Sequence, residues 1–486
     1  MPCKLTLNRE LVFILLASLT TKIAVIILLP NLYHADENFQ LFEQGHRLAF
    51  GYGIKPWEFE DGIRSLVLPS VLSGIFRFVS LVSDSPEVYI GVARGVLAFF
   101  SLLAVVAIYY YALTISRVHA LVASAVLALW YEAVYFSIRP LTECVAATAL
   151  ICSACAGLLA VRSGRHRLLM LSGFFASLAV MLRFHIGPGV FVLAIWICRL
   201  DVRHRWLPFI LGGLPPLILF GASDWLAWGA PFSSFIKSFQ INVLDGKAKH
   251  FGVEPFYWFF TEAWRNWAAC VPLFAALIAY KFREKLPWIL VGASIVLSHS
   301  LIAHKEYRFI YPALMCFVIA AAIGSADVLQ KAIAVLPKRK KLLTALTLLL
   351  WCTASAALAL SPPFLRNWKR SRELVQAYYF LHTQKDMCGL LTYDTGWWDS
   401  GGYAHLHRNI PIYDNLTADF ETEDVTPLAN YVLVRDSSLG EFGSKYKKVR
   451  CFKMKKDSLC VLKRRGACKL RPKIVPLALQ RRLGED

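Results

Sequence analysis

Two short stretches of this chain bring together residue types that can do chemistry. Residues 31–65 hold six acids, Asp36, Glu37, Glu43, Glu58, Glu60 and Asp61, although Asp, Glu, Lys and Arg together make up only 18% of the chain. The acids interleave with Phe39, Phe42, Phe50, Tyr52, Trp57 and Phe59, as in a segment that hugs a membrane interface. Asp36 and Glu37 follow directly on an apolar run, where loss of water raises a carboxylate pKa. A carboxylate there that reaches a hydroxyl can act as general base, and either residue qualifies; a hydrated loop is the plainer reading. Helical spacing would put Asp36, Gln40 and Glu43 on one side. The second stretch is His304-Lys-Glu-Tyr-Arg-Phe309, with three basic side chains and one acid in five residues. Lys305 and Arg308 suit the clamping of phosphate oxygens, and Glu306 suits orienting one of them. A pair of snorkelling interfacial cations is the alternative, but it leaves His304 and Glu306 unexplained.

Weaker candidates are Arg139 and Glu143 around a short loop, Arg183 and His185 at a helix end, and Asp224 beside Trp225 and Trp228. The aromatic residues there also fit an interfacial belt. A Gly-rich phosphate loop, a metal-spaced His/Cys cluster, a G-x-S-x-G elbow and a D-x-D motif are all missing from the sequence. A nucleotide-sugar site of the soluble type is therefore not expected, and neither a cofactor nor a metal is needed.

The elements that must position these residues are set by composition. Hydrophobic residues are 57% of the 486 and the mean hydropathy is +0.49. A disordered chain, a coiled coil and an ordinary cytosolic enzyme are excluded. The pattern is that of an all-α polytopic membrane protein, with apolar runs from Leu11–Pro30 through 342–361. The first run reads as an uncleaved anchor. Basic loops at Arg162–Arg167, Arg199–Arg205, Lys281–Lys285 and Lys338–Lys341 assign those ends to the cytoplasm. About 11 crossings follow, with 66–82 interfacial or re-entrant, and residues 31–65 and 299–308 on the far side.

Residues 1–361 read as the membrane domain and 362–486 as a small α/β far-side domain. The second has strand-like patches at Gly389–Tyr393, Tyr431–Val434, Val449–Lys453 and Ser458–Leu462, and a helix-like Arg372–Gln384. The net charge of +20 is concentrated in part in the last 40 residues. That basic end is either a solvated surface or a contact with anionic lipid head groups; nucleic acid is not an expected partner. Cys388, Cys451, Cys460 and Cys468 allow one or two disulfides in an oxidising compartment. Asn415-Leu-Thr417 is a glycosylation sequon if that compartment has the machinery. Cys152 and Cys155 read as core residues of one helix face.

The H-x-D-E sequence at His34–Glu37, the F-G-Y-G at Phe50–Gly53, the W-E-F at Trp57–Phe59, the G-I-R-S containing Arg64, and the complete H-K-E-x-R-F at His304–Phe309 resemble glycosyltransferase family 22. That family includes lumenal mannosyltransferases of N-glycan and GPI-anchor assembly. The resemblance covers about residues 10–330. It implies a GT-C membrane fold and inverting transfer of mannose from a polyprenyl (dolichyl) phosphate carrier to a glycan or glycolipid acceptor. It further implies Asp36 as base with Glu37 in support, and His304, Lys305 and Arg308 near the donor phosphate. Glu306, Arg139, Glu143, Asp224 and Arg64 would have supporting roles. Ala35 departs from the Pro of many members. The compartment would be the endoplasmic reticulum membrane in a eukaryote or the inner membrane in a bacterium, with the active site on the lumenal or periplasmic side. The competing readings are a transporter or flippase of a lipid-linked sugar and a GT-C enzyme with another sugar donor. A transporter more often places charges near the midplane within paired repeats, whereas here the acids cluster at one face.

Overall fold

The computed structural model describes residues 8–395, 400–416, 426–453, 457–469 and 476. Thr417 of the sequon and nearly half of the last 40 residues lie outside these. The chain is mostly helical. Among the described residues six helices are long and apolar enough to cross a membrane: Arg9–Leu28, Pro86–Leu113, Thr142–Ser163, Val202–Trp228, Tyr307–Val335 and Pro337–Leu360. Others are apolar but shorter, among them Val67–Ser80, Arg117–Leu129 and His166–Leu182. At 14 residues, Val67–Ser80 rises about 21 Å, short of a ~30 Å hydrocarbon core.

The chain divides into two compact units, residues 1–25 with 95–365, and residues 26–94 with 366–486. The larger unit is a helical bundle. Its packing uses small residues to bring backbones together, as membrane interiors require when lipid and side chain are equally apolar. A Cβ placed on Gly173 would lie 1.8 Å from the Phe209 carbonyl oxygen, and one on Gly212 would lie 1.9 Å from that of Met170. Pro215 and Pro216 interrupt the hydrogen bonding of the Leu207–Trp228 helix. At one end of this unit Asp327 accepts from Lys285 Nζ (2.8 Å) and faces His119 Nε2 (3.1 Å), so a buried carboxylate has its counter-charge. Cys152 and Cys155 are buried free thiols.

The smaller unit joins the acidic loop to a five-stranded sheet. The strands are β1 (Leu390–Tyr393), β2 (Ile412–Asp414), β3 (Tyr431–Arg435), β4 (Lys447–Lys453) and β5 (Ser458–Lys463), in the order β2-β1-β3-β5-β4. β1 is parallel to both β2 and β3, while β5 is antiparallel to β3 and β4. Leu391, Val432, Val434, Phe442 and Leu462 form its core. Two disulfides brace it, Cys388–Cys468 and Cys451–Cys460, which selects one of the three pairings open to four cysteines.

The loop is fastened to this α/β part by polar contacts. Glu43 accepts hydrogen bonds from the backbone N–H of Ile54 (2.7 Å) and of Ala404 (2.8 Å). Asn31 donates to the Asn367 carbonyl (2.6 Å), and Tyr89 donates its hydroxyl to the Ala404 carbonyl. His46 Nε2 meets His407 Nδ1 at 3.0 Å. Gly402 sits at φ +58°, and a Cβ there would meet the Glu43 carboxylate at 2.5 Å, so only glycine fits.

Candidate functional site

In the smaller unit the acidic loop enters as a π-helical turn, Glu37–Phe42, continued by the Glu43–Phe50 helix that ends at left-handed Gly51. The wider turn changes the side-chain register, and the expectation of one face for Asp36, Gln40 and Glu43 is not met. Gln40 donates to Glu58 (3.0 Å), whereas Glu43 is turned to Ile54 and Ala404. Burial pushes the Glu43 carboxyl up to about 7, against the pull of the N–H groups it accepts.

The two leading acids differ in setting. Glu37 is fully buried; its Oε1 accepts from Arg94 Nη2 at 2.7 Å and its Oε2 from the Tyr33 N–H at 2.9 Å. Arg94 also donates to the Asn31 carbonyl (2.7 Å). Glu37 is thus a structural anchor holding the start of the loop. Asp36 is partly exposed, its side chain at 15%, with Oδ1 3.5 Å from His34 Nδ1. Glu58 is buried near it. Desolvation raises the Glu58 carboxyl; the charge of Arg64 opposes this and that of Asp36 adds to it. Asp36, Gln40, Glu58 and Arg64 therefore share one polar neighbourhood, and Glu58 is a member that sequence reasoning did not single out. Its signal was the W-E-F-E run, an acid flanked by aromatics.

In the larger unit the hexapeptide lies between the Leu286–Ser300 and Tyr311–Val335 helices. Pro312 at the first turn of the second helix fits its N-terminus there. Arg308 is buried and held by two carboxylates. Its Nε and Nη2 donate to Glu306 (2.7 and 3.0 Å), and its Nη1 lies 3.2 Å from Glu143. Glu306 Oε1 also meets His304 Nε2 at 3.2 Å. The result is one chain, His304–Glu306–Arg308–Glu143, with His304 and Glu306 partly exposed and Arg308 and Glu143 covered. Arg183 lies over the Phe309 ring at 4.7 Å.

Lys305 is placed differently from Arg308. Its ammonium donates to the carbonyls of Glu254 (2.9 Å) and Ile302 (2.5 Å), and desolvation lowers its pKa. It ties the 247–256 segment to the hexapeptide. Tyr307 is anchored as well: its hydroxyl donates to Glu132, which also accepts from the indole N–H of Trp130 (3.1 Å) and Trp267 (3.0 Å). Glu132 was missed in the sequence, although it is a lone acid in an apolar run, the pattern that marks a buried functional or structural partner.

Behind Phe309, His299 is buried. Its Nδ1 donates to the Ile295 carbonyl (2.8 Å), and His185 stands 5.5 Å away between ring centres. Among the described residues, His299 Nε2 and the neighbouring Ser300 hydroxyl have no hydrogen-bond partner. Of the supporting candidates, Glu143 joins the Arg308 chain. Arg139 packs its guanidinium 4.4 Å over Tyr135, and Asp224 accepts from the backbone N–H and the hydroxyl of Ser234 (2.9 and 2.6 Å), where it caps a short helix.

Comparisons with known proteins give the family and the fold. The family model described as Alg9-like mannosyltransferase matches residues 11–388, a span containing both motifs. A Yarrowia lipolytica protein named GPI mannosyltransferase 3 is 25% identical over 81% of this chain and 74% of its own. The Homo sapiens GPI alpha-1,2-mannosyltransferase 3 is 26% identical over 64% of this chain and 57% of its own. The match thus spans little more than half the length of the human relative. Among solved structures, ArnT from Cupriavidus metallidurans, crystallised with undecaprenyl phosphate, superposes with a TM-score of 0.59 at 11% identity, over 95% of this chain and 99% of that one. The fold is that of the GT-C enzymes, as the sequence resemblance implied.

Proposed function

Because this chain belongs to the Alg9-like mannosyltransferase family of multi-pass membrane proteins, we propose that it transfers mannose from a polyprenyl-phosphate carrier to a glycolipid acceptor. The observation that carries this reading is the Arg308 guanidinium, fixed by Glu306 and Glu143 with His304 at the exposed end. A cation held rigid in advance stabilises charge that develops during reaction without reorganising at that moment.

The acceptor hydroxyl gives its proton to the Asp36 carboxylate, and its oxygen forms the new bond to the anomeric carbon. The bond from that carbon to the carrier phosphate breaks, and the phosphate leaves with the electron pair. A β-linked donor thereby yields an α-linked product. Asp36 suits the base because it is partly exposed while Glu37 is committed to Arg94. His304 and Arg308 offset the leaving phosphate's charge, and Lys305 holds the segment that carries them. His299 Nε2, with its other nitrogen already donating, offers an acceptor for a sugar hydroxyl. The ArnT crystal with undecaprenyl phosphate and the mannosyltransferase names of the relatives support a lipid-linked mannosyl donor. The relatives' GPI names favour a GPI-type glycolipid acceptor, the endoplasmic reticulum membrane and a lumenal site.

The test is transfer in proteoliposomes with polyprenyl-phosphate mannose or GDP-mannose as donor. Product from the lipid donor alone is expected. Product from GDP-mannose alone would overturn the donor class, and movement of the intact lipid-linked sugar across the bilayer without bond transfer would favour a flippase.

A further inference from the structure

Helices Arg9–Leu28, Arg117–Leu129 and Lys340–Leu360 border a cavity of about 470 Å³. Its wall is apolar, built from Phe13, Ala17, Ala125, Leu129, Leu348 and Trp351 among others. The three helices run in parallel: Ser18 donates to the Ala128 carbonyl, Ser355 to the Leu129 carbonyl, and Arg117 pairs with Glu10. The starting end of each therefore lies at the same end of the groove. Arg9 lines the groove at that end beside Glu10, which pairs with Arg117, and the third helix begins there with Lys340 and Lys341. The flanking surface faces outward, with Phe13 and Leu349 well exposed.

The dimensions select the occupant. An apolar cavity of ~150 Å³ takes one six-carbon benzene ring, so this one takes roughly three times as many carbons, the size of one fatty-acyl chain. A helix from a second copy, about 10–12 Å across, demands a far larger groove. A polyprenyl chain is longer and methyl-branched. Arg9, the cation that lines the groove while Glu10 is paired with Arg117, complements a phosphate head group, and cations near a bilayer surface attract anionic lipids. We propose that this groove is a resident-lipid site that holds one acyl chain of an anionic glycerophospholipid, with its phosphate at Arg9.

The test uses the full chain purified in mild detergent, with bound lipid counted by native mass spectrometry. Delipidated protein is then offered phosphatidylserine or phosphatidylcholine in nanodiscs. Wild type should retain about one anionic phospholipid, and Ala125→Trp, which fills the groove, should lose it. Arg9→Gln lies on an exposed helix end and leaves the packing intact, so it carries the test even if Ala125→Trp fails to fold. It should lower the preference for phosphatidylserine about fivefold. Wild-type retention in the folded Ala125→Trp variant, or an unchanged preference in Arg9→Gln, would overturn the site. Retention of polyprenyl phosphate instead, or a dimer that Ala125→Trp dissociates, would overturn the occupant.

Discussion

Asp36 and Glu37 are neighbours in sequence with opposite settings, one partly exposed and one buried on Arg94, and substitution should separate the tasks we propose for them. Asp36→Asn removes the proposed base and should lower turnover by roughly 10²–10⁴-fold while leaving thermal unfolding unchanged. Glu37→Ala leaves Arg94 buried without its carboxylate, a loss of roughly 3–5 kcal/mol, and should show as poor yield and early unfolding. Glu132 gives a third contrast. Glu132→Ala takes the acceptor from the buried Trp130 and Trp267 indole N–H groups at about 1–3 kcal/mol each, whereas Glu132→Gln keeps an acceptor and should fold. The acids of the first loop and the hexapeptide were legible because their residue types are out of place in so apolar a chain. Their partners were not: Arg94 and Glu132 lie 57 and 175 residues from Glu37 and Tyr307. Only folding reveals that one acid of a D-E pair has been taken by an arginine.

Local patterning fared well for the elements. The four strand-like patches correspond to β1, β3, β4 and β5, and the helix-like stretch to Arg372–His382. β2 escaped notice because it has three residues, all buried, and so no alternation to read. The π-turn at Glu37–Phe42 escaped for a related reason, since a helix period is blind to one widened turn. The loop helix makes a pH prediction. Burial holds His46 down to about 3 and His407 down to about 4, each with a neighbouring histidine adding to the effect. Unfolded, both titrate near 6.5. Below that value the unfolded state binds more protons at these two sites, so their contribution to stability falls as pH drops from about 6.5 toward 4, while Glu43, raised to about 7, opposes it over the same range. In His407→Gln that acid slope, read from thermal unfolding at stepped pH, should be shallower by about one proton.

At the scale of the molecule, each compact unit is assembled from two distant segments of chain. No local pattern announces that residues 26–94 belong with 366–486; the polar pairs that join them are single residues such as Glu43 and His46. The disulfides add a testable ranking. Cys388–Cys468 spans 80 residues and Cys451–Cys460 spans 9. Loop-closure entropy gives roughly 4.5 and 2.6 kcal/mol respectively. The Cys388→Ser/Cys468→Ser protein should therefore unfold earlier than Cys451→Ser/Cys460→Ser, as read by denaturant midpoint at equal slope.

The central claim is that Asp36 takes the acceptor's proton during transfer from a lipid-linked mannosyl donor. The most direct measurement is single-turnover transfer from polyprenyl-phosphate mannose by wild type and Asp36→Asn, with the folded amount of each fixed by thermal unfolding. Near-complete loss of the chemical step, with donor binding retained, is the predicted result. Transfer by Asp36→Asn at the wild-type rate would contradict the account and move the search for the base to Glu58.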